Sequence, residues 1–211
     1  MKLGIVGAGK IGGTVGRLWH RAGHEVKFGT RHPAALAPLV AELGARASAG
    51  TPEDAARFGE VVLLAVPLAA IPALGPALAP LVAGKVVLDA GNPYPDRDGA
   101  VAREALAHTA GSSGWVASHL PDARIVKAFN TIEYRVLGEE TGRAGDPLGI
   151  PVAGDDADAV DAAARLVRDA GFAPLALGGL IHGKQFEPGS TVYNADMSVA
   201  ELARALGVDP P

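Results

Sequence analysis

Short apolar runs alternate along the chain with stretches whose apolar positions recur every three to four residues. The strand candidates are Lys2–Val6, Glu25–Gly29, 61–66, Val86–Asp89, 124–129, 149–153 and 172–177. VVLLAV, at 61–66, is apolar on both faces, as a strand inside a parallel sheet with helices on each side must be. Helical spacing follows most of these runs. Val15, Leu18 and Trp19 keep it up to the stop at Gly23, 34–43 is a short Ala- and Leu-rich helix, and Thr51-Pro52-Glu53-Asp54 is an N-cap with Pro and early acids. Segment 72–81 is helical but interrupted by Pro, 155–170 is amphipathic, and 198–206 ends the pattern. The alternation predicts an α/β fold, a doubly wound and mostly parallel sheet over 1–177. Residues 178–211 are a less regular C-terminal extension, read as a pocket wall or a subunit contact.

Between the first strand and its helix stands Gly7-Ala8-Gly9-Lys10-Ile11-Gly12, which fits G-x-G-x-x-G in a strand-turn-helix setting. Such a turn needs glycine for its tightness, for close approach of a pyrophosphate and for helix–strand packing. The free amides at the helix start then face phosphate. The fold is thus expected to be of Rossmann type. A purely structural tight turn would favour the same glycines. At the end of the second strand an NAD site wants a carboxylate for the ribose hydroxyls, and here Thr30, Arg31 and His32 stand instead. A hydroxyl, a guanidinium fork and an imidazole suit a 2'-phosphate, so the cofactor is expected to be NADP(H). The alternative is that Arg31 is a solvated charge beginning a loop.

Composition removes several other classes. A chain of 211 residues with a net charge of −4 and no basic block argues against nucleic acid or an anionic membrane as partner. No Cys is present, which excludes disulfides and thiolate catalysis. His108, His119 and His182 are too scattered for a metal site, and the serines form no nucleophile elbow. With no leader or long apolar span in view, a cytoplasmic location is expected.

Ligands of an open parallel sheet sit beyond the carboxyl ends of the strands, so those ends carry the remaining candidates. Ala65, Val66 and Pro67 can lie against ribose and nicotinamide. Asn92, in Asp89-Ala90-Gly91-Asn92-Pro93, can bond a carboxamide or the substrate, or merely form an Asn-Pro turn. Ala128, Phe129, Asn130 and Thr131 end the next strand. Small Ala128 leaves room for a flat ring, while Asn130 and Thr131 can orient a substrate; equally, Asn130 can cap a helix beginning near Ile132. Asn130 and Tyr134 are the catalytic candidates, with His119 or water as other proton sources. Phe186, Val192, Tyr193 and Met197 in the extension point to burial against a second copy, hence a homodimer.

GAGKIGG, GTR, AVP, DAGNP, ARIVKAFNTI, PVAGDD and GF-x-P-L-x-L-G-G together resemble the deazaflavin (coenzyme F-420)-dependent NADP oxidoreductases. The chain is also similar to the cytoplasmic reductase domain of the STEAP metalloreductases. The resemblance runs from Met1 to about Gln185, with KAFNTI and VAGDD its more specific segments. It implies NADPH held at Gly7–Gly12, Thr30, Arg31, Ala65–Pro67 and Asn92, a nicotinamide facing Ala128–Ile132, and hydride transfer to a second carrier without a metal. Members that reduce the deazaflavin typically carry a His-containing turn where this chain has Phe129-Asn130-Thr131. Three functions follow as expectations. The first is an NADPH oxidoreductase with a deazaflavin as second substrate, the next a reductase of small substrates such as cyclic imines or carbonyls, and the third a non-enzymatic NADPH sensor.

Overall fold

The computed structural model describes residues 1–210; Pro211, the last residue of the extension, lies outside the described residues. In chain order the strands are β1 Lys2–Val6, β2 Glu25–Gly29, β3 Ala47–Gly50, β4 Val61–Leu64, β5 Val86–Asp89, β6 Arg124–Lys127, β7 Gly149–Gly154 and β8 Ala173–Ala176. The helices between them are α1 Lys10–Arg21, α2 Ala37–Leu43, α3 Pro52–Phe58, α4 Ile71–Val82, α5 Pro95–Asp98, α6 Ala100–Ala107, α7 Gly111–His119, α8 Tyr134–Glu139, α9 Ala157–Asp169 and α10 Val199–Leu206. The sheet order is β3-β2-β1-β4-β5-β6-β7-β8, and every pairing is parallel except β6 with β7. This is the doubly wound Rossmann-type architecture that the alternation predicts.

Period-two alternation sorts the strand side chains into two cores. Leu3, Ile5, Val61, Leu63, Val86 and Leu88 pack under α1, α8 and α9. Val6, Val62, Leu64 and Val87 face α3, α4, α6 and α7. Trp19 of α1 is fully buried in the first, where its indole N–H donates to the Leu166 carbonyl at 2.8 Å. A third, smaller cluster joins Leu175 to Phe186, Val192 and Leu202 of the extension.

The differences from the sequence pattern have local causes. β4 stops at Leu64 and β6 at Lys127, two residues before their apolar runs end. Beyond β6, Phe129 takes a positive φ of 63° and turns the chain out of the sheet. β3, of sequence ASAG, is an edge strand with no apolar run to announce it. Helix α8 begins at Tyr134, capped by the Glu133 carboxylate, which accepts from the Arg135 amide at 3.0 Å. Asn130 therefore caps no helix near Ile132. Among the described residues no helix is long and apolar enough to cross a membrane.

Candidate functional site

The C-terminal ends of β1, β2 and β4 open onto a cleft of about 510 Å3, lined by Gly7, Ala8, Gly9, Thr30, Arg31 and Val66 among others. Gly7 has φ +100°, and a Cβ there would lie 2.4 Å from the Ala65 carbonyl oxygen. A Cβ on Gly12 would lie 2.0 Å from the Gly7 oxygen, so α1 reaches β1 only because this position is bare. Gly9 differs from both. Nothing stands within 4 Å of where its Cβ would be.

Gly9 is also the N-cap of α1, and it leaves the helix open. Helices α3 and α10 are closed by reciprocal capping boxes, Thr51 with Asp54 and Ser198 with Glu201, and α9 by the Asp156 carboxylate. α1 shares with α2, α4, α6 and α7 the lack of a side-chain cap and of an acid in the first turn, and its N-cap Gly9 lines the cleft. Its first amides and the positive end of its dipole are therefore offered to the cleft, the arrangement that binds an anion. Opposite, Arg31 is exposed and joins none of the ion pairs found among the described residues. Thr30 Oγ1 accepts the His32 amide at 3.3 Å, and the His32 side chain stays outside the lining.

A second cleft, of about 400 Å3, continues from the first across Gly9, Ala65, Val66 and Pro67. Its far wall includes Lys10, Asn92, Tyr94, Arg97, Tyr134 and Tyr193. Asn92 reaches the cleft with its amide already committed. Its Nδ2 donates to the Asn130 carbonyl at 2.8 Å and, more weakly, to the Tyr94 hydroxyl at 3.5 Å, while its Oδ1 accepts from Asn130 Nδ2 at 3.0 Å. Tyr134 is on the wall with Lys10 over its ring, 4.9 Å from the centroid.

Ala128, Phe129, Asn130 and Thr131 are not on that wall. All four are buried, and Ala128 and Phe129, both fully buried, belong to the first core. The turn instead anchors the extension. Asn130 Nδ2 donates to the Phe186 carbonyl at 2.9 Å, and the Thr131 carbonyl accepts the Asn194 amide at 2.8 Å. Ala128→Leu should then overpack the core rather than obstruct an acceptor. Urea unfolding is expected to show a loss of about 1–3 kcal/mol. Unchanged stability with lost turnover would return Ala128 to the pocket.

A buried charge cluster holds the extension from below. Lys127, fully buried, donates to the Gly91 carbonyl at 3.1 Å and Ser112 Oγ at 2.9 Å, and pairs with Glu187 Oε1 at 3.2 Å. Asp89, its register partner on β5, accepts from the Gly91 amide at 2.8 Å and Ser113 Oγ at 2.6 Å. Burial raises the Asp89 pKa above the ordinary carboxylate range; Lys127, Ser113 and the Gly91 amide oppose the shift without cancelling it, and Glu187 adds to it. The cluster fixes Gly91 from both sides, and with it the position of Asn92. Of the apolar residues expected to seek a second copy, Phe186 and Val192 are buried within the chain while Tyr193 and Met197 are partly exposed. Tyr193 and Asn194 make the extension a wall of the cleft.

Residues 2–93 match the model of a family described as coenzyme F-420-dependent NADP oxidoreductase. That segment contains every residue lining the first cleft. Over 186 residues the chain is 29% identical to the metalloreductase STEAP3 of Rattus norvegicus, covering 88% of this chain and 36% of that protein. The chain thus spans about a third of that relative's length. A hypothetical protein from Sinorhizobium meliloti superposes with a TM-score of 0.77 at 28% identity, covering 94% of this chain and 95% of that one. A protein of Arthrobacter sp. FB24, provisionally named an F-420-dependent NADP-reductase, gives 0.74 at 26% identity, covering 100% and 96%.

Proposed function

We propose that this chain is an NADPH-dependent oxidoreductase, with the adenosine and phosphates of the cofactor in the first cleft and its nicotinamide in the second. The observation that carries the reading is the uncapped start of α1 beside Gly9, where open space lies in front of unpaired amides. The family match over 2–93 supports it. NADPH, when bound, supplies a hydride from C4 of its nicotinamide. Gly9 and the first turn of α1 would hold the pyrophosphate, Thr30 and Arg31 the 2'-phosphate, and Val66 and Pro67 the ribose and ring. The second cleft keeps acceptor and nicotinamide together, which provides much of the acceleration when hydride is the principal group moving.

The family match makes a deazaflavin the leading acceptor. A small imine or carbonyl is the second reading, favoured by the hydroxyls of Tyr94 and Tyr193 on the cleft wall. An NADPH sensor would need no second cleft, and its presence counts against that reading. NADPH titration, then its oxidation against a deazaflavin, flavins, ferric chelates and cyclic imines, tests the proposal. Failure to bind NADPH would sink it, and binding without turnover would leave the sensor.

Cofactor choice gives a sharper expectation. NADPH should bind at least about tenfold more tightly than NADH, since one charge-assisted contact contributes about 1.5 kcal/mol or more. Arg31→Ala should erase most of that difference and leave NADH affinity nearly unchanged. Equal affinities in the parent protein would refute the assignment of Arg31.

A further inference from the structure

Reduction of a neutral C=N or C=O bond, or of a deazaflavin, adds a proton as well as a hydride, and the nicotinamide supplies only the hydride. Lys10, Arg97, Glu133, Tyr94, Tyr134 and Tyr193 are the titratable side chains on the wall of the second cleft. Arg97 never deprotonates and is bound to the Asp98 carboxylate, at 2.7 Å, and to the Asn92 carbonyl at 3.1 Å. Glu133 caps α8 and pairs with Arg135, so its oxygens are engaged as acceptors. Lys10 lies over the Tyr134 ring and beside the phosphate-binding turn. Of the three tyrosines Tyr134 is stacked against Lys10, whereas the Tyr94 and Tyr193 hydroxyls are in direct hydrogen-bond contact across 99 residues of sequence.

Resting on the reductase reading, we propose that Tyr94 and Tyr193 form a proton relay, in which Tyr193 donates to the acceptor atom that gains the electron pair. The bond between the two hydroxyls can run either way, and the relay uses the sense in which Asn92 donates to Tyr94 and Tyr94 to Tyr193. Asn92 Oδ1 takes the Asn130 amide, so Asn92 Nδ2 is the group turned to the Tyr94 oxygen. Tyr94 then gives its own proton to the Tyr193 oxygen, and the Tyr193 proton is free to point into the cleft. Burial, the largest cause, raises the Tyr193 pKa and so favours the protonated hydroxyl that the relay needs.

The balance is simple for an imine. Its carbon gains hydride, the C=N π pair moves to nitrogen, and that pair forms the new N–H bond with the Tyr193 proton. Tyr94 passes its proton to Tyr193, and the negative charge moves to Tyr94, whose ring lies 4.6 Å from the Arg97 guanidinium. Water entering the open cleft returns the proton. One hydride and one proton are consumed, and the pair is restored.

An acceptor that carries its positive charge permanently needs no proton. The test therefore compares three acceptors with one cofactor: a deazaflavin, 2-methyl-1-pyrroline at a pH where it is unprotonated, and its N-methylated pyrrolinium. Tyr193→Phe should slow the first two by about a hundredfold or more, the scale of general acid catalysis, and change the third little. Tyr94→Phe should give a smaller loss on the same two. NADPH affinity, read by fluorescence, should be unchanged in both variants. Equal losses on all acceptors would mean that the tyrosines only position the acceptor, and full activity of Tyr193→Phe would also overturn the relay. A parent protein that binds NADPH but reduces none of the three would overturn the reductase reading and the relay together.

Discussion

Gly9→Val should abolish NADPH binding at working concentrations while leaving the protein folded. No atom lies within 4 Å of a Cβ at this position, and the residue's φ of −77° with extended ψ is open to any side chain. The cost to the free protein is that of a poorer N-cap, about 1 kcal/mol or less. The isopropyl group would fill the space before the first amides of α1. Losing two charge-assisted bonds of about 1.5–3 kcal/mol each gives a weakening of more than about a hundredfold. Gly7→Val and Gly12→Val behave differently, because their Cβ atoms would stand 2.4 Å and 2.0 Å from backbone oxygens. Those two should lose the fold as well as the ligand. Thermal unfolding and NADPH titration of all three variants separate the roles. Unchanged affinity in a folded Gly9→Val protein would make the turn structural only.

Lys127→Met is expected to destabilise the protein by about 3–5 kcal/mol, the range for removing one partner from a buried ionic group. Two carboxylates, Asp89 and Glu187, would be left 1% and 5% exposed with no cation between them. Met fills similar space, so the loss is electrostatic rather than a cavity. The extension should respond first, because Glu187 holds it to α7 through the Ser112 amide at 3.0 Å. Hydrogen exchange would show lost protection around 186–194 before the sheet opens. Adding Glu187→Gln should recover part of the loss, since the remaining amide asks for no counter-charge. A cost below about 1 kcal/mol would mean that water reaches these groups.

Legibility in the sequence followed how local the cause was. The turn at Gly7–Gly12 and strands β1, β2, β4 and β5 depend on neighbours within a few residues, and their patterns are read directly. Strand β3 was not legible, because ASAG at a sheet edge has small residues and no alternation. Helix α7 was missed for the opposite reason. GSSGWV is buried all round, so Ser112 and Ser113 face buried charges and no polar face marks the period. The second cleft was the least legible. Asn92 and Tyr134 reach it, but Tyr94, Arg97, Tyr193 and Asn194 come together only after the extension folds back over the Phe129–Thr131 turn. One signal was available. Asp89 ends an apolar strand and Lys127 follows two apolar residues at the buried end of β6, and buried charges there demand partners from elsewhere in the chain.

The two clefts share Gly9, Ala65, Val66 and Pro67 but differ in where the rest of their walls come from. The first is built wholly between Gly7 and Leu74, while Tyr94, Arg97, Glu133, Tyr134, Tyr193 and Asn194 of the second come later. If the reductase reading holds, substitutions at Tyr94, Arg97, Tyr193 or Asn194 would reshape the wall offered to the acceptor without touching any residue that lines the first cleft.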